Sequence, residues 1–441
     1  MINNKIARNS AWLIGGKIVQ SLLSFVIGLL TARYLGPADY GLVNYAASIV
    51  AFVLPIMYLG INNILVQELV TAPEKEGTII GTASCLSFIS SFLCIGGILA
   101  FVSVINAGEK DAIVVCALYS VLLIFQSFDM IQYWFQSKLL SKYTSVTALS
   151  AYVVVAAYKT FLLVTGKSVY WFAISNALDY FIIALISFII YKKLGGQKFR
   201  FSAAMAKKLL YKGKYYIISG LMVTIFAETD KIMIKLMIDN TSVGYYGAAV
   251  TIAGISAFVF SAIIDSFRPV ILGQKGNDEQ AYRKNMKRLY CIVIYLALLQ
   301  SVVIALLARY IVLILYGAEY APAVGALRII VWYTTFSYLG AVRNVWILAE
   351  GKHRYLWIIN LSGALCNIAL NLLLIPLWGI SGAAAASLIT QFFTNVLMGY
   401  IIKPIWGNNK LMLQSLNPKI LVELFRGLKS KKNTENDNNE R

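Results

Sequence analysis

Apolar runs of about twenty residues recur along the whole chain, separated by short polar stretches rich in Gly, Pro, Asp and Lys. A helix needs about twenty apolar residues to cross about 30 Å of hydrocarbon. The pattern predicts twelve membrane-spanning helices, at 12–32, 42–62, 79–105, 112–134, 146–165, 169–191, 215–238, 245–267, 289–312, 323–349, 356–376 and 380–402. The expected fold class is an all-α polytopic membrane protein. The first run is not expected to be a cleaved leader. It is long, ends at Arg33 and lacks a small-x-small cleavage site.

The joint between the first two runs, "TARYLGPADYGLVNYAAS" at 31–48, reads as a turn through Gly36, Pro37, Asp39 and Gly41. A similar joint, "IDNTSVGYYGAAVTIAG", begins at Ile238; aligning Gly41 with Gly244 gives an offset of 203. A second match aligns "YWFQSKLLSKYTSVTALS" from Tyr133 with "VWILAEGKHRYLWIINLS" from Val345, at an offset of 212. One net insertion of 9 residues reconciles the two. The chain therefore reads as two lobes of six helices, 1–200 and 201–402, followed by a tail at 403–441 whose end, "KSKKNTENDNNER", reads as disordered. Six is even, so both lobes start on the same side of the membrane. That is a parallel repeat, with a substrate site expected between its halves.

Composition supports the membrane reading: 59% of residues are hydrophobic, 13% are charged, and the mean hydropathy is +0.71. The net charge of +19 suggests nucleic acid at first sight. The positive-inside rule accounts for it better. With the N-terminus inside, 29 of the 39 basic residues fall on cytoplasmic segments and 4 at or beside outer ones (Arg33, Lys110, Lys167 and, at the outer end of the ninth span, Arg309). Both termini are expected in the cytoplasm, and no nucleic-acid partner is expected. The linker at 191–214 is basic and partly amphipathic, suited to the inner leaflet or simply to a positive inner loop.

Familiar catalytic chemistry finds no place. "TGKS" at 165–168 ends like a phosphate-binding loop, but Phe161 stands where its first glycine belongs. No GxSxG occurs. The cysteines Cys85, Cys94, Cys116, Cys291 and Cys366 are odd in number and lack a CxxC spacing, so they read as packing residues without disulfide or metal. The single histidine, His353, lies in an inner loop and reads as solvated. The outer loops are too short for an external catalytic domain, so no enzyme is expected.

A charge at mid-bilayer costs about 2.5–3.5 kcal/mol on insertion scales, so membrane-embedded charges are functional candidates. The seventh span, "FAETDKIMIKLMI", is the richest. Glu228, Lys231 and Lys235 stand at i, i+3 and i+7 on one helix face. Asp230 is turned about 200° from Glu228. The plainer alternative is an internal Glu228–Lys231 ion pair with Lys235 reaching outward. Lys159, Asp179 and Arg343 lie deeper in their spans and suit a cavity. Lys17, Asp129, Asp265 and Arg328 lie near span ends, where snorkelling is the better reading. Asn367 and Asn371, at i and i+4, suit interhelical hydrogen bonding.

Three segments carry a family resemblance. "NSAWLIGGKIVQSLLSFVIGLLTARYLGPADYGLVNYAAS" at 9–48, "ETDKIMIKLMIDNTSVGYYGAA" and "LYGAEYAPA" at 315–323 resemble Wzx-type polysaccharide flippases of the multidrug/oligosaccharidyl-lipid/polysaccharide (MOP) exporter superfamily. The resemblance implies twelve helices in a two-lobed V around a central cavity. It implies transfer of undecaprenyl-diphosphate-linked oligosaccharide repeat units from the cytoplasmic to the outer face of the bacterial cell membrane, for polysaccharide biosynthesis. A diphosphate cannot cross bare hydrocarbon, because an isolated ion costs tens of kcal/mol there.

A cationic cavity would accept the diphosphate. Lys17, Lys159, Lys231, Lys235 and Arg343 are its candidates, with Arg33 at the outer rim. Glu228, Asp230 and Asp179 are the candidates for proton or sodium coupling; no other cofactor or metal is expected. Expected partners are the lipid-linked oligosaccharide and membrane lipid, with a polysaccharide polymerase and glycosyltransferases nearby. A cation-coupled multidrug exporter of the same superfamily and a membrane enzyme of polysaccharide assembly stay open as alternatives.

Overall fold

The structure is a computed structural model. It describes residues 2–422, with side chains from Gly15 onward except Lys17. The Lys17 side chain and the tail from 423 on, both named above, lie outside the described residues. Every regular element among the described residues is helical. Eight helical stretches there are long and apolar enough to cross a membrane, and the chain is a multi-pass membrane protein. Its helices present bare apolar side chains outward: Val164, Leu93 and Leu306 are 82%, 74% and 72% exposed. Contiguous surfaces of that kind belong in lipid rather than water.

The chain divides into two compact units, residues 1–248 with 315–320, and residues 249–314 with 321 onward. The first unit holds α1 (Ile2–Met57), α2 (Leu65–Thr71), α3 (Glu76–Ile105), α4 (Lys110–Ser120), α5 (Leu122–Gln126), α6 (Met130–Ser137), α7 (Ser141–Val164), α8 (Val169–Lys193), α9 (Ala203–Met237) and the start of α10 (Asn240–Ala253). α1 breaks at Gly36, with φ 70° and ψ 173°. Glycine tolerates the positive φ, and the following Pro37 forces the preceding residue to an extended ψ. Pro37 then opens the second half of the helix, where its missing N–H costs nothing. The joint is a kink without a loop, and α1 carries the first sequence span whole and most of the second. α9 packs along α1, within the first unit.

At one end of this unit, Ile61, Leu65, Ile80, Met130, Trp134, Phe135 and Leu209 form a buried apolar cluster. Two carboxylates beside it, Glu76 and Glu68, are engaged. Trp134 Nε1 donates to Glu76 at 2.8 Å. Glu68, 3% exposed, holds the Lys208 and Lys212 ammoniums at 2.5 Å each. Burial alone would raise the Glu68 pKa; the two lysines outweigh it and hold the carboxyl below the ordinary glutamate range. The basic linker is thus tied through α9 to α2.

The second unit holds the rest of α10, then α11 (Ala257–Gln274), α12 (Glu279–Leu315, to residue 314), α13 (Ala323–Ala349), α14 (Leu356–Phe392), a π-helical turn (Phe393–Leu397), α15 (Met398–Ile401) and α16 (Trp406–Gln414). α14 breaks at Gly379, φ 57° and ψ −135°, so it and the turns after it hold the last two sequence spans. Asn367 and Asn371 are buried and bonded to each other at 3.1 Å. Asn367 also donates to Ser387, beyond the break, at 3.4 Å. Tyr290, Trp346, Ile347, Met398 and Leu411 belong to the unit's core.

Candidate functional site

The first unit brings the resembling segments together. The two glycines that the internal repeat aligns face one another: a Cβ on Gly41 would lie 1.8 Å from the Asn240 carbonyl oxygen, and one on Gly244 would lie 2.0 Å from that of Pro37. Only bare backbones can approach so closely. From the third segment, Tyr320 donates its hydroxyl to the Ala32 carbonyl at 2.8 Å. Its ring lies 6.3 Å from that of Tyr40 and 6.0 Å from that of Tyr245. Arg33, one residue from that contact, is exposed.

The charged stripe lies on α9 of the same unit. Lys231 Nζ meets Glu228 Oε2 at 2.9 Å, and Ser48 Oγ donates to the same oxygen at 2.8 Å. One turn on, Lys235 is 7% exposed and pairs with Glu109 at 2.5 Å. Asp230 faces the other way and accepts from the Tyr246 hydroxyl at 2.5 Å. Glu228 has its second oxygen, Oε1, without a hydrogen-bond partner among the described residues.

Beside the stripe lies a cavity of about 490 Å3, its walls including Tyr58, Asn62, Asn63, Ser219, Thr224 and Glu228. Glu228 is its one charged lining residue. A second cavity, about 210 Å3, is lined by Asp129, Gln132, Tyr133, Gln136, Ser141 and Thr144. Asp129 does not snorkel, as its place near a span end suggested. A 3-10 turn, Ser127–Asp129, interrupts the helix there and aims it at the Tyr58 hydroxyl (3.2 Å) and Gln132 amide (3.3 Å).

Asp179 on α8 and Lys159 on α7 attract one another across packed helices. Lys159 makes no hydrogen bond or ion pair among the described residues, and Asp179 Oδ1 is buried without a partner. The tyrosines around these carboxylates, Tyr58, Tyr133 and Tyr180, escaped sequence reasoning. Tyr58 lies 71 residues from Asp129, whereas Tyr133, at i+4 from Asp129, and Tyr180, beside Asp179, lie in apolar runs where their polar neighbours went unremarked.

Arg343 belongs to the second unit. It is 5% exposed and has no carboxylate partner among the described residues. Nη1 donates to the Thr394 carbonyl at 2.7 Å and Nη2 to Asn344 Oδ1 at 3.3 Å, while Nε is buried and unbonded. Thr394 sits in the π-helical turn, where carbonyls leave the regular ladder and functional sites are frequent. Of the predicted cations, Lys231 and Lys235 have acid partners, whereas Lys159 and Arg343 lack a bonded one among the described residues.

Three comparisons bear on this architecture. The capsular polysaccharide biosynthesis protein CapF of Staphylococcus aureus is 21% identical over 412 residues, covering 91% of this chain and all of CapF. The lipid II flippase MurJ, in an inward closed conformation, superposes with a TM-score of 0.68 at 16% identity, over 94% of this chain and 92% of MurJ. An inward-facing multidrug-resistance transporter of the MATE family, in the MOP superfamily, superposes at 0.61 and 15% identity, over 89% of this chain and 96% of its own. The fold is thus one shared with the MurJ flippase and a MATE transporter. The stretch from the first helix through α11, residues 6–275, matches the family described as polysaccharide biosynthesis protein, and it contains both the glycine joint and the charged stripe; the chain belongs to that family.

Proposed function

We propose that the chain is a flippase that carries undecaprenyl-diphosphate-linked oligosaccharide repeat units from the cytoplasmic to the outer face of the cell membrane. Its twelve helices make two lobes, 1–200 and 201–402, and both termini lie in the cytoplasm. The observation that carries the reading is that a polysaccharide-biosynthesis chain holds membrane-embedded cations with no bonded acid. Lys159 and Arg343 are two such cations among the described residues, and a diphosphate would give each a bonded anion. Lys231 and Lys235 sit ready to exchange a carboxylate for a phosphate.

Outward movement of negative charge is driven by an inside-negative potential, at about 2.3 kcal/mol per charge per 100 mV. A coupling proton or sodium ion would have Glu228 Oε1 or Asp179 Oδ1 to bind; Asp230 is already committed to Tyr246. A polymerase and glycosyltransferases stand on either side of such a step. A second reading, a cation exporter, is favoured by one observation: the larger cavity's one lining charge is acidic. Lys231, at 2.9 Å, offsets that charge.

Exchanging the pair, Glu228→Lys with Lys231→Glu, separates scaffold from function. The pair lies one helical turn apart, so the exchange preserves attraction. The flippase reading expects membrane-inserted protein at wild-type level with surface polysaccharide reduced at least tenfold, as in either single variant. Restoration of polysaccharide by the double variant would make the pair structural and remove both residues from the site.

A further inference from the structure

We infer that the cavity bounded by α1 and α9 is the sugar-recognition subsite of this transporter, and that it selects a sugar without a carboxylate or other acidic substituent. The inference rests on the flippase reading and narrows its substrate. The cavity, about 490 Å3, has the size of a mono- or disaccharide site. Its polar groups are those that recognise carbohydrate: the hydroxyls of Tyr58, Ser219 and Thr224, and the amides of Asn62 and Asn63. Among the described residues no lysine or arginine lines it, and the nearby Lys231 ammonium is already paired with Glu228.

The decisive group is Glu228. Ser48 and Lys231 both bind Oε2 and so pin the carboxylate, which leaves Oε1 as an unused acceptor. An ionised carboxylate only accepts hydrogen bonds. It needs a donor from the ligand, such as a hydroxyl, an acetamido N–H or an ammonium. A uronic acid or a phosphorylated sugar keeps hydroxyl donors but adds an anionic group, and like charges brought together at a binding surface exclude the wrong partner. The Thr224 hydroxyl is spent on the Gly220 carbonyl at 3.0 Å, and that of Tyr58 on Asp129 at 3.2 Å. Both oxygens keep lone pairs for ligand hydroxyls, so this wall also asks for donors. Asn63 Oδ1 does the same, since the Asn63 amide nitrogen is turned to Asn62 at 3.0 Å.

The test is binding to the full chain in lipid nanodiscs. The probes are farnesyl-diphosphate-linked N-acetylglucosamine, its glucuronic acid counterpart and a lipophilic cationic dye. The N-acetylglucosamine probe should bind at least tenfold more tightly than the glucuronate probe. Glu228→Gln should reduce that ratio to about threefold or less, chiefly by admitting the glucuronate. Because Glu228→Gln strands Lys231, the Glu228→Gln/Lys231→Met variant serves as a second measurement and should show the same loss of discrimination. Equal or tighter glucuronate binding by the wild type, or an unchanged ratio in both variants, overturns the subsite and leaves the flippase reading standing. Binding of the dye with neither glycolipid overturns both.

Discussion

Gly41→Ala and Gly244→Ala should each strip the protein of about 3 kcal/mol or more of stability, enough to deplete it from the membrane. The cause is geometric. The added Cβ would lie 1.8 Å from the Asn240 carbonyl oxygen in the first variant and 2.0 Å from the Pro37 carbonyl oxygen in the second. The obstructing atoms are backbone in both cases, so no rotamer change relieves the clash. The kink at Gly36 and the start of α10 must move apart, and the ring contacts of Tyr320 with Tyr40 and Tyr245 go with them. Gly96→Ala is the control. Its Cβ would meet nothing within 4 Å, and alanine is favoured over glycine in a helix interior by about 0.8–1.0 kcal/mol. Thermal unfolding in detergent should place both joint variants far below the wild type and Gly96→Ala level with it or above. Wild-type unfolding of Gly41→Ala would show that the two joints are not in backbone contact.

Arg343→Met should fold as well as the wild type and transport almost nothing. Burying the guanidinium carries a desolvation penalty of several kcal/mol. Its two good hydrogen bonds, to Thr394 and Asn344, return about 1.5–3 kcal/mol each, and its Nε returns nothing. Methionine fills much of the same volume without the penalty, while the Thr394 carbonyl loses a donor. The two effects nearly cancel. A residue that adds little to stability yet remains charged in a membrane protein's interior is expected to serve the substrate. The measurement pairs unfolding temperature with surface polysaccharide at matched protein level. A drop of at least tenfold in polysaccharide at unchanged stability is the expected result. A fall in both together would instead make Arg343 a structural clamp on the π-helical turn.

The multi-pass helical class, the kinked joint and the charged stripe were legible in the sequence because each rests on local rules. Apolar length marks a span, Gly36-Pro37 marks a break, and i, i+3 spacing puts Glu228 beside Lys231. The alignment of Gly41 with Gly244 was also legible, but not that the two glycines touch. The partners were hidden because they depend on packing. Lys235 meets Glu109 126 residues away, and Asp129 meets Tyr58 71 residues away. A helix that is apolar on all sides gives no periodic signal to show which face meets lipid and which meets protein. For the same reason neither cavity could be placed, and nothing in the run from Phe393 foretold a π-helical turn.

The account stands or falls on whether the protein moves a lipid-linked sugar across a bilayer. Proteoliposomes carrying purified protein and a farnesyl-diphosphate-linked N-acetylglucosamine, with a sugar-modifying enzyme confined to the outside, measure this directly. The sugar initially shielded in the inner leaflet should become accessible over time with the wild type and stay shielded with Arg343→Met. A shielded pool that persists with the wild type, in vesicles through which the same protein carries a lipophilic cation, would contradict the flippase and establish the exporter.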